Sequence, residues 1–145
     1  MNKIFNITSI MCSMLIVGMM ACNAQGFIVN DLIGTKWECN NGVCIESYKF
    51  TNDSILETYY FIYSNTTVNY AKPFYLAKNK TESFDFSKVG TETSGRFLLY
   101  YNDKMNETEY WEITKQTPDT LILFHEAQDG YVGAANVYRT YRRVE

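Results

Sequence analysis

Apolar and polar residues alternate over residues 33–39, at the start of the first well-patterned region of the chain. Ile33, Trp37 and Cys39 fall on one face of such a segment, which is the period-two pattern of a strand with one buried face. Asn-Asn-Gly at residues 40–42 tolerates positive φ and predicts a chain reversal. Residues 31–50 are therefore predicted to form a β-hairpin.

The pairing expected for this hairpin places Cys39 opposite Cys44 and Trp37 opposite Glu46. It buries every large apolar group of the two strands on one face, because side chains on one face recur every second residue. It also turns the Glu46 carboxylate inward beside Trp37. An inward carboxylate must be paired, protonated or solvated. Glu46 is therefore a candidate functional residue.

The rest of the chain repeats this pattern in short segments separated by turn residues. Together with the hairpin they make about nine strands, and no window has a convincing helical period. The predicted fold is all-β, a small up-and-down β-barrel of about eight to nine antiparallel strands, with a sandwich as the alternative. Short connections favour the barrel, since closure removes exposed strand edges. The further predicted strands are residues 55–63, 68–77, 84–86, 96–102, 109–114, 120–126 and 131–143.

Composition agrees with a single packed domain and excludes one class of partner. The chain has 145 residues, 46% hydrophobic and 16% aromatic, with only Pro 2, which favours strands over disorder. The formal net charge is -3. Without a basic surface there is no electrostatic basis for nucleic-acid binding.

The N-terminal segment predicts export. Lys3 precedes an apolar run over residues 10–21 that is too short to span a bilayer and is typical of a secretory signal peptide. The ending Ala21-Cys22 resembles a bacterial lipobox, which implies lipidation of Cys22; cleavage after Ala24 is the alternative. The expected organisation is a signal peptide at 1–21, a tether at 22–31 and a barrel domain at 32–145. The expected location is the membrane surface, facing the periplasm or the cell exterior.

With Cys12 in the predicted signal peptide and Cys22 assigned to lipidation, Cys39 and Cys44 remain as a pair across the predicted turn. In an oxidising compartment such a pair predicts a structural disulfide. A zinc site would need further ligands, and His125 is the only histidine, so neither a metal nor another cofactor is expected.

Glu46 and the aromatic residues suggest a binding pocket. If Glu46 faces a cavity, it becomes a polar anchor inside an aromatic wall, which is the usual composition of small-molecule pockets. The alternatives are that Glu46 pairs with a C-terminal arginine or lies at the barrel mouth. The predicted ligand-binding residues are Trp37, Glu46, Tyr48, Tyr59, Phe61 and Phe84.

Catalytic patterns are weak, so the chain is not expected to be an enzyme. His125 and Glu126 are neighbours on one strand and point to opposite faces. Ser94-Gly95 precedes no helix and has no second histidine, which argues against a hydrolase triad. No glycine-rich phosphate loop is present in the sequence.

Four segments carry a resemblance to a family: LIGTKW at 32–37, YKF at 48–50, TLIL at 120–123 and YRTYR at 138–142. They are similar to lipocalin-like lipoproteins of gut-type Bacteroidetes. In lipocalins a basic residue of the last strand packs across the first-strand tryptophan. The resemblance therefore implies barrel closure by Arg139 or Arg142 over Trp37, a cation–π contact, and binding of a small hydrophobic or amphipathic ligand.

A second resemblance suggests another class of function. SGRF at 94–97 followed by EYW at 109–111 is similar to motifs of the periplasmic lysozyme-inhibitor lipoproteins, which block an enzyme cleft with a protruding loop. It implies an envelope protein partner, in an inhibitor or immunity role, in place of a small ligand.

Overall fold

The computed structural model describes residues 27–81, 83–127 and 135–145. The predicted signal peptide and the lipidation candidate Cys22 lie outside these residues. Within them, no helix has the length and apolar character needed to cross a bilayer.

Eight strands close into an antiparallel barrel, which confirms the predicted all-β, up-and-down fold. In chain order the strands are β1 (Phe27–Ile28), β2 (Lys36–Asn40), β3 (Cys44–Phe50), β4 (Ser54–Phe61), β5 (Thr66–Ala77), β6 (Ser94–Gly95), β7 (Phe97–Asn102), β8 (Glu107–Gln116), β9 (Thr120–His125) and β10 (Val137–Arg143). The barrel order is β10-β2-β3-β4-β5-β7-β8-β9, while β1 and β6 form a separate two-stranded pairing. Because β10 pairs with β2, the sheet closes on itself.

The first hairpin forms with a register two residues away from the predicted one. Trp37 lies opposite Tyr48, and Cys39 lies opposite Glu46. A shift of two keeps every side chain on its predicted face, so Glu46 does point inward. The shift arises in the turn, where the Asn41 side chain accepts hydrogen bonds from the backbone N–H groups of Val43 and Cys44.

This register also overturns the predicted disulfide, since both thiols are free. Cys39 and Cys44 are diagonal neighbours, and such pairs lie about 7–8 Å apart, beyond the usual reach of a disulfide. Burial raises the pKa of both thiols, and the nearby Glu46 carboxylate raises it further. The two side chains therefore behave as small apolar groups of the barrel wall.

Residues 84–86, predicted as a short strand, form none. They belong to the long connection between β5 and β7, where Phe86–Lys88 is one turn of 3-10 helix. Asp85 precedes this turn and accepts hydrogen bonds from the Ser87 backbone and hydroxyl. These bonds hold the pKa of Asp85 below its usual value. Residues 84–86 do alternate between apolar and polar, but the Asp85 side chain bonds to Ser87 and the segment does not join the sheet.

One end of the barrel is closed by the N-terminal residues. Val29–Asp31 forms a 3-10 turn, and Val29 and Leu32 are buried in the core. The Val29 backbone N–H donates to the Thr93 carbonyl over 2.7 Å. Residues 27–31 therefore belong to the fold as its plug, and only residues 22–26 of the predicted tether remain outside the description.

Candidate functional site

The interior changes character along the barrel axis. Near the plug, the inward side chains are almost all apolar and form one buried cluster. The other end is reached by the turns β2–β3, β4–β5 and β7–β8 and by the connection from β9 to β10, in which residues 128–134 are outside the described ranges. We call the described part of this end the open end. Inward side chains there include carboxylates, a lysine, an arginine and partly exposed aromatic rings, which are Glu46, Glu57, Tyr59, Phe61, Tyr70, Lys72, Glu109, Trp111 and Arg139.

Lys72 joins two carboxylates inside the wall of the open end. Its Nζ lies 2.8 Å from Glu57 Oε2 and 3.7 Å from Glu109 Oε1. Glu57 is almost completely buried, and a buried carboxylate without a partner is costly. The ammonium also lies 4.5 Å from the centre of the Tyr100 ring, which adds a cation–π contact.

Glu109 organises a second set of hydrogen bonds across β7 and β8. Its carboxylate accepts from the Tyr100 hydroxyl over 2.8 Å and from the Asn102 side-chain amide. The Trp111 indole N–H in turn donates to the Tyr100 oxygen over 3.0 Å. Burial raises the pKa of Tyr100, and the Glu109 carboxylate raises it further, so this hydroxyl stays a donor.

Glu46 is an inward carboxylate with long contacts to two of its neighbours. It is only 7% exposed. The Tyr59 hydroxyl stands at 3.4 Å and Arg139 Nε at 3.9 Å, and the Tyr141 hydroxyl also lies near the carboxylate. Tyr59 donates its shorter hydrogen bond, 2.7 Å, to Glu57. Burial and that bond raise the pKa of Tyr59. Of the two alternatives for Glu46, pairing with a C-terminal arginine is the one that the contact with Arg139 shows.

Aromatic rings line the wall beside Glu46. Tyr59 and Phe61 stack with centroids 6.5 Å apart, and Tyr70 meets Tyr59 edge-on at 6.2 Å. Lys104, on the β7–β8 turn, places its ammonium 4.2 Å from the centre of the Tyr70 ring. The result is a strip of half-exposed rings leading from the rim down to a carboxylate.

The structure brings together three of the six predicted ligand-binding residues. Glu46, Tyr59 and Phe61 share the open end. Trp37 and Tyr48 lie in the closed core, while Phe84 packs outside the barrel on Tyr75, with centroids 5.0 Å apart. Sequence reasoning missed Glu57, Lys72 and Glu109. Glu57 carried a usable signal, because it alternates with Ile55 and Tyr59 on the inward face of one strand.

The predicted contact between Trp37 and a C-terminal arginine is not formed. Arg139 points inward to Glu46, Arg142 lies opposite Glu38 on the outer face, and Arg143 is the residue paired with Trp37. Every cation–π contact in the described ranges comes from a lysine. The Trp37 indole N–H instead donates to the Thr35 hydroxyl over 2.6 Å, which satisfies it locally.

The segment that resembles lysozyme inhibitors does not protrude. Ser94 and Gly95 form β6, which pairs with β1 beside the plug, and Gly95 is buried. Residues 109–111 lie within β8. A loop mechanism of the inhibitor type therefore has no exposed loop at these positions.

His125, the candidate acid–base residue of the sequence, lies among aromatic rings. His125 lies 5.2 Å from the Tyr110 ring and 5.3 Å from the Trp111 ring, an aromatic environment with no acid–base partner in hydrogen-bond contact. Across the described ranges, no group of three or more His, Cys, Asp or Glu residues is placed to hold a metal ion.

Comparison with protein-family models, curated proteins and solved structures found no match to this chain.

Proposed function

We propose that this protein is an exported, lipid-anchored barrel that binds a small amphipathic ligand at its open end. The polar group of the ligand contacts Glu46, and its apolar part lies along Tyr59 and Phe61. The observation that carries the proposal is Glu46, a nearly buried carboxylate whose contacts with Tyr59 and Arg139 are long, at 3.4 and 3.9 Å. A ligand that donates a hydrogen bond or carries an amine would complete its partners.

The filled half of the barrel limits how deep the ligand reaches. Trp37, Tyr48 and Tyr141 are buried, and the last two stack with centroids 5.0 Å apart. They form a floor beneath Glu46. The ligand is therefore held near the mouth, unlike one enclosed in a deep barrel cavity.

Lipidation at Cys22 would orient this mouth. Five chain steps separate Cys22 from Phe27, a span of at most about 18 Å. Phe27 lies at the plugged end, where it pairs with Gly95. The plugged end would then face the membrane and the mouth would point away from it, towards ligands arriving from the aqueous side.

The test is titration of the purified mature protein with dodecylamine, dodecanol and dodecanoate, below their aggregation concentrations. Trp111 is half-buried at the open end and reports binding by fluorescence, whereas Trp37 is sealed. We expect saturable binding that is tightest for the amine and about tenfold weaker in Glu46→Gln.

Tyr138→Ser, an exposed change on the outer face, is the matched control and should leave binding unchanged. Absence of saturable binding for all three probes would overturn the proposal. Equal affinity of Glu46→Gln and the unchanged protein for dodecylamine would do so as well.

A second candidate, an envelope protein partner, is favoured by the rim of the open end. Three of its turns expose large apolar side chains, and Tyr63 is 85% exposed. The backbone bond from Ile62 N–H to the Val43 carbonyl, 3.0 Å, holds two of these turns together. Contiguous exposed apolar surface of this kind is typical of interaction sites.

A photo-crosslinking amino acid at position 63, in the full chain and in its native cells, tests this candidate. A protein partner predicts one discrete adduct from position 63 and none from position 56, an exposed outer-face site on β4. Equal or absent adducts at both positions would rule out the rim as a docking surface.

A further inference from the structure

A groove outside the barrel runs beside the long connection between β5 and β7. That connection folds back on the outer face of the barrel and packs Phe84 and Phe86 against Tyr101, with centroids 5.7 and 5.0 Å apart. The two phenylalanine rings meet edge-on at 5.0 Å. Phe86 nevertheless remains 58% exposed, so one ring surface of this cluster is turned to solvent.

The groove between this cluster and the outer face of β8 has a volume of about 970 Å³. This lies at the upper end of the ~300–1,000 Å³ range of ligand sites. A smaller groove of about 310 Å³ continues on the other side of Lys80 and is lined by Phe97, Tyr110 and Phe124. The two share Lys80, Tyr110 and Glu126, so together they form one elongated surface.

Most polar groups of the larger groove are uncharged. Thr81, Ser83, Asn106 and Thr108 line it and supply hydroxyl and amide donors and acceptors. Two carboxylates, Glu107 and Glu126, also line the described part of the groove, and Lys80, the cation among those lining residues, places its Nζ 2.9 Å from Glu126 Oε2. The groove therefore offers little attraction to an anionic ligand.

Another occupant fits less well. A lipid chain would leave the hydroxyl and amide groups of the lining unpaired. A neutral polyhydroxylated chain can pack on the aromatic cluster and also hydrogen-bond with the hydroxyl and amide groups of the lining.

We propose that this outer groove binds a neutral oligosaccharide. The C–H faces of the sugar rings would pack on the exposed ring of Phe86 and on the half-buried ring of Tyr101. The hydroxyl groups would hydrogen-bond with Asn106, Thr108 and Ser83. The site is separate from the open end of the barrel, and neither proposal requires the other.

The test uses the mature protein and four neutral hexasaccharides, built from α-1,4-glucose, β-1,4-glucose, β-1,4-N-acetylglucosamine and α-1,6-mannose. Isothermal titration measures affinity, and saturation-transfer NMR identifies which protons of the sugar touch protein. We expect at least one to bind with a dissociation constant below about 1 mM. Phe86→Ser should weaken it about tenfold, and Thr108→Val about threefold.

Phe86 and Thr108 are on the surface, and circular dichroism checks that both variants keep the barrel. Phe61→Ser at the open end is the matched control and should bind the hexasaccharide normally. The proposal is overturned by either of two results: no hexasaccharide binds below about 10 mM, or Phe61→Ser weakens binding as much as Phe86→Ser. The first result leaves the amine titration at the open end unaffected, so the two proposals fail separately.

Discussion

The plugged half and the open half of this barrel are built from the same strands but differ in the side chains that fill their interior. Around the plug, apolar residues such as Phe50, Leu76 and Leu98 fill the interior and bury no charged side chain among them. At the open end, Glu57, Lys72 and Glu109 occupy equivalent inward positions and must satisfy one another. Apolar burial stabilises without directional demands, whereas a buried ion pair stabilises little and is sensitive to loss of one member.

The difference indicates that the two halves contribute differently to stability and to binding. The plugged half supplies most of the stability of the fold. The open half gives up part of that stability to hold charges and half-exposed rings in place, as binding sites commonly do. Variants in the two halves should therefore have effects of different kind and size.

Separate replacement of the two tryptophans compares the halves directly, and we expect the largest change in the free energy of unfolding from this pair of variants. Trp37 is 1% exposed, and Trp37→Ala should lower the free energy of unfolding by about 3–5 kcal/mol because it leaves a cavity. Trp111→Ala, in the half-buried wall of the open end, should cost about half as much. Urea unfolding measures both, and equal losses would contradict this difference between the halves.

Alkaline pH tests the boundary between the halves, where Tyr48, Tyr100 and Tyr141 lie. Burial holds the pKa of all three above the usual value of 10.0. Because the folded-state pKa exceeds the unfolded value, their contribution is complete below pH 10 and is lost as the pH rises. By pH 11 the three phenols should together remove about 4 kcal/mol from the free energy of unfolding.

Urea unfolding at pH 8 and pH 11 measures this loss. Tyr48→Phe removes one of the three phenols and should reduce the pH-dependent part by about a third. A free energy of unfolding that does not change between the two pH values would show that the three phenols are accessible to solvent in the folded protein.

Lys72→Met breaks the ion-pair network of the open end. It leaves the buried Glu57 carboxylate without its cation, and the expected loss is about 3 kcal/mol. Adding Glu57→Gln to Lys72→Met removes the unpaired charge and should recover more than half of that loss. The two residues are not coupled if Glu57→Gln lowers the stability of the Lys72→Met variant by as much as it lowers that of the unchanged protein.

Two tyrosine hydroxyls give the smallest and most specific comparison. The Tyr59 hydroxyl donates to Glu57 over 2.7 Å, so Tyr59→Phe should cost about 1–2 kcal/mol. The buried Tyr141 hydroxyl has no hydrogen-bond partner in the described part of the chain. Tyr141→Phe should therefore be neutral within about 0.5 kcal/mol or slightly stabilising. Thermal unfolding at pH 7 checks the order, and a reversed order would contradict the assigned bonds.

The candidate site was only partly predictable, and the reasons are specific. Glu46 was recognised as inward because strand alternation survives a register shift of two residues. Lys72 was not recognised, although it alternates with Tyr70 and Phe74 on one face of β5. The aromatic outer groove was also missed, because residues 84–86 alternate like a strand and only the Asp85 cap turns them into a connection packed on the barrel.

The sequence by itself determined the all-β class, the up-and-down order of strands and the faces of most side chains. These follow from local alternation and turn residues, which act over a few positions of the chain. Only the tertiary structure decided the hairpin register, the separation of the two cysteines, the partner of each charge and the position of Phe84 outside the barrel. Those depend on how distant strands meet when the cylinder closes, and no local pattern specifies the distance between residues such as Lys72 and Glu109.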